Sequence, residues 1–168
     1  MIFHQLNEIV TGDKTQTRRI VKPGEAYAYR YLGSKIEHIN SFSAAYCPKM
    51  PTSMITKVFT PTGRVKWQVG KDYAVQPGRG EPGLYWLPSL RKWSKPEYYI
   101  KTDDFWRPLR IVIASIRIEH LLDINKNDVF EEGVDTHEEY RALFEKINGP
   151  GQWNNNPYVW VLDFKVKR

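Results

Sequence analysis

The run from Leu109 to Ile118 constrains the fold of this chain most strongly. It reads Leu-Arg-Ile-Val-Ile-Ala-Ser-Ile-Arg-Ile, so in an extended conformation its middle is apolar on both faces. A strand with two apolar faces has to be covered on both sides by other elements. We therefore predict that this run is a central β-strand and that the rest of the chain is arranged around it.

The C-terminal part of the sequence predicts a second long strand, from Tyr158 to Lys167. Aromatic and apolar residues recur at every second position there, which is typical of a strand with one buried face. These residues are Tyr158, Trp160, Leu162, Phe164 and Val166. We expect a half-buried strand.

Two helices are predicted between these strands. Asn125 can cap a short helix that runs to Glu132, and Gly133 can end it. Thr136 and Glu139 form a capping box for a longer helix that ends at residues 148–150. The longer helix carries an apolar stripe, consisting of Tyr140, Leu143, Phe144 and Ile147.

The N-terminal part predicts shorter elements. Residues 33–54 show no clear hydrophobic period, so we interpret them as a long irregular segment. Residues 77–83 are interpreted as a loop, and residues 84–108 are not assigned to any element. The remaining periodic segments are an amphipathic helix (residues 4–11), an aromatic strand (27–31), a hairpin (55–60 and 64–69) and a strand (73–76).

Several strands with few helices favour a mixed α+β fold built on a curved sheet or a small β-barrel of about five to seven strands. The helices lie near the N-terminus and before the last strand. A doubly wound sheet is not expected, because strands and helices do not alternate and no phosphate loop or dinucleotide fingerprint occurs. With 41% hydrophobic residues, we expect residues 1–168 to form one domain.

Composition limits the classes of function. A formal charge of +6 favours a polyanionic partner such as nucleic acid. Cys47 is the only cysteine, so an internal disulfide and a cysteine-based zinc site are excluded, as suits a cytoplasmic protein. The histidines lack ligand spacing, so neither a metal nor a cofactor is expected. No apolar run reaches the roughly 20 residues of a membrane span, and no secretory signal pattern is present.

The segment from Gly12 to Arg19 is the strongest candidate for function, because cationic and hydroxyl side chains crowd behind a helix-ending glycine. If the chain is then extended, Thr17 and Arg19 share one face and Arg18 points the other way, as an outward-facing charge. Lys14 can reach the Thr17 hydroxyl only through a turn at residues 12–15 or through the length of its stem. The alternative is a solvated or phosphate-contacting patch.

The segment resembles the signature of the ASCH domain family, whose fold is a small β-barrel related to PUA RNA-binding modules. That signature is a glycine, a lysine two residues later, a short polar or acidic residue three further on, and an arginine two beyond it. Gly12, Lys14, Thr17 and Arg19 have this spacing.

The order of the other elements is also similar to ASCH proteins of phages and prophages. The similarity includes the strand around residues 69–76, the central strand with its short acidic helix, and the Trp-Asn-Pro loop before the last strand. Relative to the smallest members, residues 22–62 and 84–107 are expected to be insertions.

The chain most resembles small bacterial ASCH enzymes that carry threonine at the third signature position and hydrolyse the acyl amide of N4-acetylcytidine. The resemblance implies a metal-free amidohydrolase in which Lys14 takes the proton of Thr17, and Thr17 attacks the acyl carbon. A glutamate from the helix after the central strand would orient or protonate the cytosine amine. Glu132 matches that position best, with the neighbouring Glu131 as the alternative.

Four further residues are candidates for binding a modified nucleoside or RNA. Arg19 lies on the face of the threonine, Arg79 lies between two glycines, and Trp153 and Asn156 belong to the loop before the last strand. Two other functions stay open for the same basic cleft. It could bind RNA without catalysis, or it could act as a metal-independent ribonuclease.

Overall fold

The computed structural model describes residues 1–3, 5–44, 53–77, 85–87, 92–94, 99–102 and 105–167. Arg79 and nearly all of the loop predicted at residues 77–83 lie outside this described part. Within it, every helix is too short or too polar to cross a membrane.

Short strands dominate the described chain. In chain order, the elements are β1 (Ile2–Phe3), α1 (Leu6–Thr11), β2 (Gln16–Ile20), β3 (Ala26–Tyr31), β4 (His38–Ser41), β5 (Ser53–Phe59), β6 (Val65–Gln68), β7 (Asp72–Ala74), β8 (Gln76–Pro77), β9 (Tyr85–Leu87), β10 (Lys92–Ser94), β11 (Tyr99–Thr102), β12 (Phe105–Pro108), β13 (Arg110–His120), α2 (Lys126–Glu131), α3 (His137–Asn148) and β14 (Tyr158–Lys167). A 3₁₀ turn, Leu121–Asp123, joins β13 to the segment before α2.

Two four-stranded antiparallel sheets form the body of the fold. The first has the strand order β2-β14-β13-β7, so the strand predicted to be central lies inside a sheet. The second has the order β4-β3-β5-β6. The pairs β9-β10, β11-β12 and β1-β8 are separate and short. The predicted mixed α+β class is thus confirmed, with strands as the main element.

The two sheets share one hydrophobic core. Tyr27 and Val58 of the second sheet belong to the same buried cluster as Trp160 of the first. The indole N–H of Trp160 donates to the carboxylate of Glu25 at 2.7 Å, and the Lys66 amine donates to the same carboxylate at 2.5 Å. Because Glu25 is itself buried, these bonds tie the segment before β3 to β14 through Trp160 and to β6 through Lys66.

Strand β14 is more deeply buried than predicted. Its bounds match the prediction, but both faces of its first half are covered. Trp160 and Leu162 lie in the core between the sheets, whereas Val159 and Val161 pack in a second cluster with residues of α2 and α3. The prediction of a half-buried strand was wrong for this first half, because the helices cover the face that carries the two valines. It is confirmed for the second half, where Phe164 is buried and Lys165 and Lys167 are exposed.

The predicted helix boundaries are largely confirmed. Gly12 follows α1 with a φ of 93°, as expected for a glycine that ends a helix, although α1 begins two residues later than predicted. The side chains of Asn125 and Thr136 accept hydrogen bonds from the backbone N–H groups of Asp128 and Glu139. A capping box therefore fixes the first residues of α2 and of α3.

The segment of residues 22–62 contributes strands to the second sheet. The prediction of irregular structure over residues 33–54 was wrong in part, since β4 and the start of β5 fall there. β4 reads His-Ile-Asn-Ser and pairs with β3 at the edge of its sheet, so its backbone pairing needs no apolar alternation. β3 also buries Tyr27 and Ala28, which makes this segment part of the core.

Candidate active site

A pocket lies where the segment before β2 meets the end of α2 and one face of α3. One wall is polar and consists of Gln5, Lys14, Thr17, Arg18, Arg19 and Glu132, and the other is formed by Phe3 and α3. The volume open to the centres of water molecules is about 30 Å³, which is room for about two or three waters. The pocket contains the three predicted catalytic residues together with Arg19.

Backbone pairing brings Glu132 beside Lys14, although 118 positions separate them. The two residues form an antiparallel β-bridge, and the backbone N–H of Thr15 donates to the carbonyl of Glu131 at 2.8 Å. On the other side, the backbone N–H of Lys14 donates to the Glu8 carbonyl in α1 at 2.8 Å. The chain between α1 and β2 is therefore fixed to both helices.

Lys14 and Glu132 form a buried ion pair. The Lys14 amine donates to the Glu132 carboxylate at 2.7 Å and to the Glu132 carbonyl at 2.6 Å. The two residues are only 4% and 2% exposed. Burial lowers the pKa of Lys14, the positive charge of Arg19 lowers it further, and the carboxylate of Glu132 opposes both. The net lowering makes the neutral amine easier to form than in a lysine exposed to water.

Glu132, and not Glu131, is the glutamate that faces the pocket. Its second carboxylate oxygen is 3.3 Å from an Arg18 nitrogen and 3.4 Å from the Tyr140 hydroxyl. The carboxylate of Glu131 instead accepts a hydrogen bond from the side-chain amide of Gln16 at 2.8 Å, and Glu131 is exposed. Helix geometry explains this split, since adjacent residues point in different directions.

The hydroxyl of Thr17 is not hydrogen bonded to any of the described residues. The residue is buried on β2 and lines the pocket. Lys14 lines the same pocket, so both side chains share one cavity, but the Lys14 amine bonds to Glu132 and makes no hydrogen bond to the Thr17 hydroxyl.

Arg18 is not an outward-facing charge, and that prediction was wrong. Its guanidinium is fully buried and contacts the carboxylates of Glu119 at 2.7 Å, Asp128 at 3.0 Å and Glu132 at 3.3 Å. Burial acts to lower the pKa of Arg18, but Glu132, Tyr140 and Glu119 outweigh burial and raise the pKa. The acids that bury Arg18 come from the end of β13, from α2 and from the residue that follows α2.

Arg19, which was predicted to bind substrate, lines the pocket. Its guanidinium carbon lies 5.4 Å from the centre of the Phe3 ring. Burial lowers the pKa of Arg19, and Glu132 opposes that effect. Since an arginine starts from a very high pKa, Arg19 remains a cation beside Thr17 and Lys14.

Trp153 and Asn156 lie away from the pocket. The Trp153 ring packs edge-on against Tyr140 at 6.0 Å and Phe144 at 6.4 Å. The Asn156 side chain accepts a hydrogen bond from the backbone N–H of Leu122 at 2.8 Å. Both residues thus fix the loop before β14 against α3 and the 3₁₀ turn. Arg79, the remaining predicted contact, lies outside the described residues.

Sequence reasoning did not identify Gln5, Phe3 and Tyr140 as pocket residues. Tyr140 was assigned to the apolar stripe of α3, and only its hydroxyl distinguishes it from a core residue. Burial raises the pKa of Tyr140 well above 10, and the charge of Glu132 adds to this rise. The hydroxyl is therefore a stable hydrogen-bond donor at neutral pH.

Gly133 allows the close approach of α1, Lys14 and the end of α2. Its φ is 82°, and an added Cβ would lie 3.1 Å from the Lys14 Cβ and 3.2 Å from the Glu8 Cβ. We predict that Gly133→Ala lowers the free energy of unfolding more than Gly70→Ala, by about 1 kcal/mol or more. Gly70 is the matched control because its φ is 79° and its added Cβ would meet no atom within 4 Å. Urea denaturation of both variants is the measurement, and equal losses would contradict the close packing.

Comparisons with models of protein families, with curated proteins and with solved structures each found no match. Among the described residues, no three His, Cys, Asp or Glu side chains are grouped so that they could hold a metal ion. The function of the pocket is therefore argued from its own side chains.

Proposed function

We propose that this protein is an ASCH-type hydrolase with a PUA-like barrel, and that it cleaves the N4-acyl amide of a modified cytosine nucleoside or base. The observation that carries the proposal is the buried contact of the Lys14 amine with Glu132 in the pocket that Thr17 lines. A lysine with a lowered pKa, an uncommitted hydroxyl and a carboxylate are the groups that acyl transfer to threonine requires.

The proposed reaction begins with proton transfer. The neutral Lys14 amine takes the Thr17 proton, and the Thr17 oxygen forms a bond to the acyl carbon. The bond between this carbon and N4 then breaks, and the proton held by Lys14 moves to the leaving amine, directly or through Glu132. Water hydrolyses the resulting threonine ester, which releases the carboxylic acid and restores the hydroxyl.

Arg18 supports this use of Lys14 through charge balance. When Lys14 is neutral, the Glu132 carboxylate loses one of its two cationic partners. The contact of Arg18 with the other carboxylate oxygen keeps the negative charge of Glu132 paired at that stage. Lys14 can therefore give up its proton without leaving an isolated charge in the interior.

The size of the pocket limits which part of a substrate enters it. Its volume admits a group of a few heavy atoms, such as an acyl amide, but not a whole nucleoside. The base and sugar would then lie at the mouth, where Ile147 and Asn148 at the end of α3 are exposed. Arg19 lines the same pocket, and its positive charge would stabilise the oxyanion of the tetrahedral intermediate.

The pairing of the basic residues favours hydrolysis over RNA binding at this site. Lys14 and Arg18 are buried and contact carboxylates, so their charges are balanced within the protein. Phosphate binding depends on cations that can replace counterions at the surface. These two residues are not available for that role.

We predict that wild-type protein releases acetate from N4-acetylcytidine, and that Lys14→Met, Thr17→Val and Glu132→Gln each lower the rate at least about 100-fold. The measurement is the rate at which acetate and cytidine form, with cytidine quantified by chromatography. The structure provides a set of controls with the same residue types in Lys57, Thr56 and Glu37, where the lysine amine and the threonine hydroxyl each donate to the glutamate. That second trio is partly exposed and does not line the pocket.

Lys57→Met, Thr56→Val and Glu37→Gln are expected to keep wild-type rates. The hydrolase proposal fails if the wild type releases no acid from acylated cytidines. Salt-sensitive binding of single-stranded RNA in a gel shift, together with absent hydrolysis, would support the RNA-binding alternative instead.

The pH dependence of the reaction should report the protonation of Lys14. Because the base has to be neutral, kcat/KM is expected to rise with pH and to level off below 10.5, the ordinary pKa of lysine. The charge of Arg19 lowers the pKa of Lys14, so Arg19→Gln should move the rise to higher pH, whereas Arg19→Lys should leave it in place. Rate profiles of the three proteins test this, and a shift of Arg19→Gln to lower pH would exclude Lys14 as the base.

A further inference from the structure

Gln5 carries a buried hydrogen-bond acceptor without a partner among the described residues. Its side-chain nitrogen donates to the Gly133 carbonyl at 3.1 Å. Its side-chain oxygen is buried and makes no hydrogen bond within the described part of the chain. Since the Gly133 carbonyl can only accept, the nitrogen of the amide has to face it, and the unpaired atom is the oxygen.

The conformation of Gln5 lowers the stability of the fold. Its backbone has a φ of 59° and a ψ of 58°, a left-handed conformation that is unusual for a residue other than glycine or asparagine. A strained backbone and an unpaired buried acceptor each destabilise the fold, and such features cluster at functional sites. Gln5 also lines the pocket together with Lys14 and Thr17.

The unpaired oxygen of Gln5 can only accept a hydrogen bond, so a substrate group that binds it has to be a donor. Lys14, Arg18 and Arg19 line the same pocket, but their donor groups leave this oxygen unpaired. The acyl amide of the proposed substrate contains one such donor, the N–H between the acyl carbon and the base.

We propose that the Gln5 side-chain oxygen accepts a hydrogen bond from the amide N–H of the substrate and thereby selects secondary amides. This inference rests on the proposed hydrolase function, and it deepens that function by naming the substrate class. An N-alkylated tertiary amide or an ester has no such hydrogen and leaves the acceptor unpaired. Secondary amides are therefore preferred, because a substrate without this hydrogen leaves the buried Gln5 oxygen unpaired and binds more weakly.

The test compares substrates that differ only in this hydrogen. In the wild type, kcat/KM for N4-acetylcytidine should exceed that for N4-acetyl-N4-methylcytidine at least about tenfold, the loss typical of one buried hydrogen bond. Gln5→Met keeps the length of the side chain but removes the acceptor. It should lower kcat/KM for the secondary amide about tenfold and leave the tertiary amide unchanged.

A purely structural role of Gln5 predicts a different pattern. Gln5→Met would then lower the rates for both amides by the same factor, and this result would overturn the inference. Gln68→Met on β6 controls for the loss of a glutamine side chain and should affect neither substrate.

Calorimetric binding of both nucleosides to Thr17→Val separates the inference from the hydrolase proposal. If the wild type is inactive but Thr17→Val binds the secondary amide more tightly, and the added Gln5→Met removes that preference, the Gln5 inference stands and the hydrolase proposal fails. Equal affinity for both nucleosides, or binding of neither, overturns the Gln5 inference.

Discussion

The shared contact of Glu132 with Lys14 and Arg18 is the interaction on which the rest of the site depends. An ionised carboxylate at 2% exposure is stable only if cations and hydrogen-bond donors surround it. Arg18 is in turn held by Glu119 and Asp128, so the charges form a continuous layer between the first sheet and α2. This layer fixes the end of α2 against the start of β2, and Lys14 and Thr17 thereby come to line one cavity.

The same residue types occur elsewhere in the protein without forming such a site. Glu37 contacts Lys57 at 2.7 Å and Thr56 at 2.5 Å on the second sheet. These three side chains are partly exposed, and the Lys57 and Thr56 hydrogen bonds lower the pKa of Glu37 despite the opposing effect of burial. That trio is an ordinary surface ion pair with an added hydroxyl. The chemistry proposed for Lys14, Thr17 and Glu132 depends instead on burial, which lowers the pKa of Lys14, and on the pocket that Thr17 lines.

Local signals in the sequence predicted the elements that carry the site. The glycine at position 12 and the capping residues Asn125 and Thr136 act within a few residues of themselves, so their geometry can be inferred from the chain alone. The burial of Arg18 could not be inferred, because it depends on acids from β13 and α2 that lie at least 100 positions away. The choice between Glu131 and Glu132 depended in the same way on the bridge to Lys14. Gln5 gave no sequence signal, since its contact with Gly133 joins residues 128 positions apart.

The proposed hydrolysis requires that Thr17 becomes acylated during turnover. Thr17 acylation can be detected by quenching the wild-type protein during reaction with N4-acetylcytidine and analysing its peptides by mass spectrometry. We expect one acetyl group on the peptide that contains Thr17, and none on that peptide in Thr17→Val. Turnover by the wild type without any acetylated Thr17, together with a Thr17→Val variant that keeps full activity, would exclude Thr17 as the nucleophile.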